Sequence, residues 1–223
     1  GRIEYIGGDS LYNSSVLQPA IARTNTMFLL LVPSFEYVTV SSHALRRLVD
    51  VGLSTGAGLL YADYYERENA TLTAHPCLDY QFGSVRDSFD FGPLLLFRTT
   101  ALREALKMYG AIPDLHHAAL YDIRLKVSSS SHIFHVREFL SIKEKHDTRT
   151  SGERQFDYVR VSAHTIQKEM EEVFTSHLQR LGAYLPPQFE ALPNTAEESF
   201  PVRASVIIPV RNRRDVVAEA CKS

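Results

Sequence analysis

The stretch SSHALRRLVDVGLSTGAGLLYAD, residues 41–63, joins a helix signal directly to a strand signal. Ser41-Ser42 offers an N-cap for a helix over His43–Leu53. The apolar residues of that helix recur on one face, at Ala44, Leu45, Leu48 and Val49. Gly56-Ala57-Gly58 then turns the chain into Leu59–Asp63, an apolar run of the kind found in buried strands. A helix that leads directly into a buried strand indicates an α/β protein.

Segments on both sides of this stretch repeat the alternation. Apolar runs that predict strands lie at Met27–Val32 and Pro93–Phe97, and His132–Val136 alternates like a half-exposed strand. Helices are predicted over Ala101–Tyr109 and Ala163–Leu181, each followed by a glycine that suits a helix end. Since helices that connect strands cross over the sheet and leave the strands parallel, we predict a largely parallel central sheet.

The composition is that of a globular protein. The chain has 223 residues, of which 44% are hydrophobic and 22% charged, enough to bury a sizeable core. The net charge is -2, from 24 basic and 26 acidic residues. The chain thus lacks the excess of basic residues that is typical of proteins that bind nucleic acid. The apolar runs are too short to span a bilayer, and no secretory signal is evident. Cys77 and Cys221 lie far apart in the sequence without a metal-binding spacing, which indicates free thiols. We therefore expect a cytoplasmic protein without a transmembrane segment.

The sequence pattern changes near the C-terminus. Over residues 184–203, prolines and the Glu197-Glu198 pair replace helical periodicity, which is typical of a linker. Residues 204–210 then begin a new strand, and Arg213–Lys222 has the pattern of the next helix. We predict a first domain over residues 1–183, a linker over 184–203 and the start of a second domain over 204–223.

The segment ASVIIPVRNRRDVV, residues 204–217, resembles the opening strand and helix of family 2 glycosyltransferases of the GT-A fold. In that family a strand of the form SVIIPxYN ends in a Pro-x-x-Asn turn that touches the uracil and ribose of a nucleotide-sugar. The resemblance implies that Pro209, Arg211 and Asn212 bind a nucleotide-sugar, with Arg211 in the place of the usual aromatic residue. A strand whose carboxyl end meets the ligand edge of a sheet suits that role.

The upstream residues resemble the body of the same fold more loosely. The matching pieces are the FLLLV strand, the Ala44-Leu45 helix, Leu59–Asp63, Phe91–Arg98 and Leu120–Leu125. The pattern is similar to bacterial two-part proteins in which a glycosyltransferase-like half precedes a recognisable family 2 domain. The resemblance implies a three-layer GT-A sandwich with a mostly parallel central sheet. For the parent protein it implies sugar transfer from a nucleotide-sugar to a saccharide or lipid-linked acceptor, with a Mg²⁺ or Mn²⁺ ion, in polysaccharide biosynthesis.

The positions that carry the chemistry in the family depart from its pattern. Val32–Glu36 stands where the metal-binding Asp-x-Asp belongs, and Ala119-Leu120 stands where the general base belongs. Asp122 matches the family's second, structural carboxylate, and Asp63 ends an apolar strand, so these two remain as candidates for catalysis. No metal-ligand set is predicted in residues 1–183. The chemistry is therefore expected mainly in the second domain, of which this chain contains the start.

The run Asp79–Gly92 is the densest polar and aromatic stretch of the chain. Saccharide recognition uses aromatic rings beside carboxylates and arginine. The candidates for substrate binding in this run are Tyr80, Arg86, Asp87 and Asp90. Alternatively, the run is an ordered loop in which Arg86 pairs with one of the two aspartates.

The two catalytic candidates also have structural interpretations. Asp63 equally suits the cap of a turn. For Asp122 the structural interpretation, an internal pair with Arg124, is preferred. Three hypotheses stay open: the chain is part of a family 2 glycosyltransferase with its chemistry elsewhere, it is a non-catalytic carbohydrate-binding or interaction module attached to such an enzyme, or it is itself a transferase that uses Asp63, Asp87 or Asp90.

Overall fold

The computed structural model describes residues 10–33, 37–144 and 161–189, which contain five helices and six strands. The helices are α1 (Ser14–Arg23), α2 (Ser42–Thr55), α3 (Thr99–Tyr109), α4 (Ala119–Ser130) and α5 (Val161–Arg180). The strands are β1 (Phe28–Leu31), β2 (Val38–Val40), β3 (Leu59–Glu68), β4 (Thr71–His75), β5 (Leu95–Arg98) and β6 (Ile133–Glu144). The chain divides into two compact units, Gly1–Tyr184 and Leu185–Ser223. Within the described ranges, no helix combines the length and the apolar composition needed to cross a membrane.

The described strands form one sheet in the order β1-β5-β3-β6-β2, and β4 pairs with the second half of β3. Only β3 and β6 run parallel, whereas β1/β5, β3/β5, β3/β4 and β2/β6 are antiparallel. The prediction of a mostly parallel sheet is therefore wrong for these strands. A continuous apolar run indicates burial on both faces, and an antiparallel strand between two helical layers has the same pattern.

Helices cover both faces of the sheet, and each face has its own hydrophobic core. One core lies under α2, and the other is shared by α1, α3, α4 and α5. Successive residues of β3 enter different cores, with Leu59 and Tyr61 on the four-helix side and Leu60 and Ala62 on the α2 side. The mixed α/β architecture is thus confirmed. The likeness to the GT-A fold stays a prediction.

Local signals in the opening stretch are confirmed in detail. Ser41 is the N-cap of α2, and its hydroxyl oxygen accepts a 3.1 Å hydrogen bond from the amide of Ala44. Gly56 ends the helix with φ 69°, a left-handed conformation that costs glycine little because it has no Cβ. This capped helix delivers the chain into the buried start of β3.

β3 is longer than the sequence predicts. Instead of ending at Asp63, it continues to Glu68 and turns back through Asn69-Ala70 into β4. Tyr64-Tyr65 favours the extended conformation, and Asn69 adopts φ 56°, as a tight hairpin turn requires. Asp63 consequently lies inside a strand and not at its end.

α4 is buried on all sides. Every residue from Ala119 to Ser128 is buried, and the helix packs against α1, α3 and α5. Such a helix has no polar stripe, so hydrophobic periodicity does not reveal it. Its charged residues Asp122, Arg124 and Lys126 must therefore find partners inside the protein.

Candidate functional site

The run Asp79–Gly92, which we call the aromatic loop, is fastened to α4 by two side chains. The guanidinium of Arg124 donates to three consecutive carbonyls, those of residues 84–86, at 3.2, 3.4 and 2.9 Å. The hydroxyl of Tyr121 donates to the middle one, at 2.6 Å. Arg124 is only 4% exposed, and the several donors of its planar group satisfy its charge inside the protein. The helix thereby determines where the loop backbone lies.

The sequence offers the alternative that an ion pair between Arg86 and Asp87 or Asp90 holds the loop, and the structure does not have this pair. The side chain of Arg86 is exposed, and within the described residues it forms no ion pair with Asp87 or Asp90. Its contribution to the fold is the backbone carbonyl that accepts from Arg124. The order of the loop is thus set by a residue of α4.

Aromatic rings make up the inner side of the loop. Tyr80 contacts Phe89 edge to face at 5.6 Å and stacks on Phe91 at 5.8 Å, and Phe89 and Phe91 are 4.6 Å apart. The guanidinium of Arg124 lies 5.2 Å from the ring centre of Phe91 and 4.8 Å from that of Tyr121. Ring faces attract cations, so this arrangement stabilises the buried charge.

A cavity of about 210 Å³, which we call the aromatic cavity, lies between α4 and the aromatic loop. Among the described residues, its rings come from Tyr12, Phe89, Phe91 and Tyr121, and its charged groups from Asp87, Asp90 and Arg124. Burial raises the pKa of Tyr121 to about 12, so this hydroxyl keeps its proton near neutral pH. Apolar walls with a few fixed polar groups are the usual composition of a small-molecule site.

The two carboxylates of the aromatic cavity differ in how firmly they are held. Asp90 accepts from the hydroxyl of Tyr64 at 3.2 Å and from the amide of Gly92 at 2.8 Å, and it lies 2.9 Å from Nε2 of His75. Asp87 has no hydrogen bond or ion pair within the described residues. Asp90 is therefore fixed by the protein, whereas no described residue fixes the carboxylate of Asp87.

Asp63 belongs to a different cluster, at the other end of the same loop. It is 5% exposed, and its Oδ1 accepts from the amide of Cys77 at 2.7 Å and lies 2.8 Å from Nε2 of His135. The other ring nitrogen of His135 lies 2.7 Å from Asp79, which also pairs with Arg137. These contacts join β3, β6 and the start of the aromatic loop.

The imidazole of His135 is held from several sides. It stacks on the ring of Tyr61 at 4.7 Å with an angle of 6° between the planes. Placed between two carboxylates, it donates to both when both ring nitrogens carry protons. Hydrogen bonds from Arg137 and His135 lower the pKa of Asp79 to about 2. Asp63 is thus part of a structural network. It caps no turn of its own, because it lies inside β3 and accepts from an amide 14 residues further along the chain.

A wider cavity of about 660 Å³ lies beside this cluster, between α2 and β6. Asp79, His135 and Arg137 line it, together with an exposed ion pair in which Arg47 and Glu138 approach to 2.6 Å. Each of its arginines is paired with a carboxylate, so neither charge is left over for an anionic ligand.

Asp122 is placed where a substrate does not reach it. It and Lys126 are both 2% exposed, and they approach to 2.6 Å as an ion pair without the alignment of a hydrogen bond. Lys126 also donates to the carbonyl of Ala111 at 2.9 Å. Burial raises the pKa of Asp122, and the adjacent positive charge of Lys126 opposes this rise. The predicted internal pair with Arg124 is wrong in its partner, because residues four apart share a helix face and residues two apart do not.

The candidates named from the sequence therefore lie in three places. Tyr80, Arg86, Asp87 and Asp90 all belong to the aromatic loop. Asp87 and Asp90 line the aromatic cavity, and Tyr80 lines the wider cavity. Asp63 belongs to the His135 network, and Asp122 is buried in α4. Pro209, Arg211 and Asn212 lie outside the described residues.

Sequence reasoning missed the residues that organise both cavities. Arg124 and Tyr121 fix the aromatic loop, and His135 links Asp63 to Asp79. The one available signal was a Tyr and an Arg three residues apart on the same face of a helix that follows a long aromatic segment. Nothing in the local sequence marks His135, because its partners lie 56 and 72 residues away.

Among the described residues, no group of three or more His, Cys, Asp and Glu side chains is arranged to hold a metal ion. The chain matches no family model and shows no significant match to a curated protein sequence. The resemblance to family 2 glycosyltransferases therefore stays a prediction that rests on the residues quoted for it.

Proposed function

We propose that the described part of this chain is a saccharide-binding companion domain within a family 2 glycosyltransferase polypeptide. In this proposal the parent protein moves a sugar from a nucleotide-sugar donor to a saccharide or lipid-linked acceptor. The companion domain holds the saccharide, and the bond-forming residues belong to the domain that starts at Ala204.

The observation that carries the proposal is the contrast between the two groups of carboxylates. A general base must reach the hydroxyl of the acceptor, within hydrogen-bond distance. Asp122 is buried against Lys126, and Asp63 is buried against His135 and the amide of Cys77. Neither geometry leaves a base facing a substrate, which favours binding over catalysis in these residues.

The aromatic cavity, in contrast, has the chemistry that binds sugars. A sugar ring presents apolar C–H faces that pack on aromatic rings, and hydroxyl groups that donate to carboxylates. Phe89 and Phe91 supply the rings, and Asp87 supplies an acceptor that no described protein group occupies. Because α4 fixes the loop backbone, the cavity exists before the ligand arrives, which lowers the ordering cost of binding.

The donor side of the proposal rests on the resemblance of residues 204–217. There, Pro209, Arg211 and Asn212 would contact the nucleotide-sugar. The Mg²⁺ or Mn²⁺ ion that the resemblance implies does not fit the described residues, since Oδ1 of Asp63 already accepts from an amide and faces His135. The proposal accordingly assigns the ion to the second domain.

Calorimetric titration of the full 223-residue chain tests the proposal. The ligands are cello- and chito-oligosaccharides on one side and UDP-glucose and UDP-N-acetylglucosamine on the other. We expect saccharide binding, and no release of UDP when Mg²⁺ or Mn²⁺ is added. Phe89→Leu should weaken saccharide binding about three- to ten-fold, because it removes a ring but keeps the site apolar.

Phe139→Leu is the matched control, since Phe139 is an exposed ring that stacks on Tyr65 and does not line the aromatic cavity. It should leave the affinity unchanged. Metal-dependent turnover of a UDP-sugar by this chain that disappears in Asp63→Asn would instead make the domain a transferase. Binding of UDP-sugars without binding of any saccharide would contradict the companion role.

A further inference from the structure

The positive and negative charges of the aromatic cavity differ in how far protein groups already bind them. Arg124 is 4% exposed, and its donors are directed to the carbonyls of residues 84–86. Its positive charge is also placed over the rings of Phe91 and Tyr121. The one cation that lines the cavity among the described residues is therefore already bound by the protein.

The negative charges remain available. Asp90 is oriented by Tyr64, His75 and Gly92, and its side chain is still 47% exposed. Asp87, three residues earlier on the same loop, has no hydrogen bond or ion pair within the described part of the chain. The described part of the cavity therefore presents a ligand with two carboxylates, and its one cation is already bound to the protein.

The aromatic walls favour the same kind of ligand. The face of an aromatic ring carries negative potential and attracts cations, and the placement of Arg124 shows that the rings of this cavity do so. Carboxylates beside ring faces bind ammonium groups, through charge-assisted hydrogen bonds on one side and cation–π contacts on the other. A phosphate in the same place would meet like charge at Asp87 and Asp90, which is unfavourable.

The size of the cavity limits the ligand to a small one. Sites for drug-sized molecules measure roughly 300–1,000 Å³, and the aromatic cavity has about 210 Å³. One sugar ring fits such a volume, whereas a nucleotide-sugar does not. The wider cavity beside α2 is large enough for more, but both of its arginines are paired.

We propose that the aromatic cavity binds a single sugar ring that carries a free amino group, with the ammonium on the carboxylate of Asp87 and the ring against Phe89 and Phe91. This inference rests on the proposed saccharide-binding function and specifies its ligand. It predicts that the acceptor recognised by this domain contains an amino sugar whose nitrogen is not acetylated.

The test compares glucosamine, glucose, N-acetylglucosamine and glucose 6-phosphate by calorimetry on the full chain, near neutral pH and at low salt. Glucosamine should bind about ten-fold more tightly than glucose or N-acetylglucosamine, and glucose 6-phosphate should bind least. Asp87→Asn should remove most of this preference, so that the variant binds glucosamine and glucose about equally. Added salt should weaken glucosamine binding more than glucose binding.

Asp50→Asn is the control, because it changes the net charge equally from an exposed position on α2, which packs on the opposite face of the sheet. It should keep the preference for glucosamine. Equal binding of glucosamine and glucose, or a preference that survives Asp87→Asn, overturns the inference and leaves the proposed function standing. Absence of binding by every mono- and oligosaccharide overturns both.

Discussion

At the scale of single residues, the side chain with the greatest influence on the site is Arg124. It is a buried cation whose charge is met by three carbonyl oxygens and two ring faces, with the negative charge of Asp87 acting in addition. Because a bond to a charged group is stronger than one between neutral groups, the middle of the loop is held firmly through its backbone carbonyls. The guanidinium of Arg124 thus stabilises both the wall of the aromatic cavity and the packing of the loop on α4.

Replacing this cation by an apolar side chain of similar length tests that dual role. Arg124→Met should lower the free energy of unfolding by about 3 kcal/mol, because three carbonyls lose a charged donor. Amide exchange should accelerate in the aromatic loop, and saccharide binding should be lost. Arg124→Lys should recover only part of the stability, since a point charge cannot reproduce the planar fork.

Arg86→Met is the matched control for this substitution, since Arg86 lies on the same loop with an exposed side chain. It should leave both the unfolding free energy and the loop exchange rates unchanged. If Arg124→Met has unaltered loop exchange, the loop does not depend on α4.

At the scale of elements, the aromatic loop returns to the sheet through a glycine whose backbone conformation is unfavourable for any residue with a Cβ atom. Gly92 has φ 66°, and a Cβ placed there would lie 2.8 Å from the carbonyl oxygen of Ala62 on β3. Its amide also donates to Asp90, so the turn and a carboxylate of the cavity are fixed together. The close approach of loop and strand therefore requires glycine at this position.

Two glycines of the loop offer a direct comparison. Gly92→Ala should lower the unfolding free energy by about 1–3 kcal/mol, through the contact with β3 and the left-handed backbone. Gly83→Ala should change it by less than about 0.5 kcal/mol, because a Cβ at Gly83 meets no atom within 4 Å. Chemical denaturation of both variants measures the difference. Equal effects would show that the loop adjusts to a Cβ at either place.

At the scale of the whole molecule, the docking of α5 makes stability depend on pH. His177 is 0% exposed, and neither ring nitrogen has a hydrogen-bond partner among the described residues. Burial, assisted by the positive charges of Arg180 and Arg124, lowers the pKa of His177 to about 4. α4, which packs against α5, also contributes the Asp122–Lys126 ion pair to the same region.

The direction of the effect follows from the sign of this shift. The native state binds a proton on His177 less readily than the unfolded state, in which the pKa is about 6.5. The stabilisation from neutral His177 is present above pH ~6.5 and is lost as the pH falls towards about 4, the native pKa of His177. Urea unfolding at a series of pH values should show a loss on the order of 2–3 kcal/mol from this group.

His177→Leu separates this effect from the titration of carboxylates. The variant should be at least as stable as the parent near neutral pH, because it buries an apolar side chain in place of an unpaired polar one. Its stability should fall less steeply with acidification in the same pH range. An unchanged pH profile would show that the protonation of His177 does not destabilise the native state, for example because a partner stabilises its charged form.

How far the sequence predicts this molecule depends on the range of the interaction concerned. The local sequence correctly predicts the N-cap of α2, the glycine that ends this helix and the apolar start of β3. These features depend on residues only a few positions apart. The importance of the aromatic loop was also visible in its composition. Its attachment was not, since Arg124 lies 38 to 40 residues from the carbonyls it binds.

The sequence by itself determined the α/β class, most of the helices and strands, and the candidate loop at residues 79–92. Local periodicity and capping specify these features, because backbone preferences act over one or two turns. The tertiary structure alone decided that most described strand pairs are antiparallel and that Asp63 and Asp122 bind to internal partners, whereas Asp87 lines a cavity. Those outcomes depend on which elements become neighbours, and burial then gives each charged group either a protein partner or an opening to solvent.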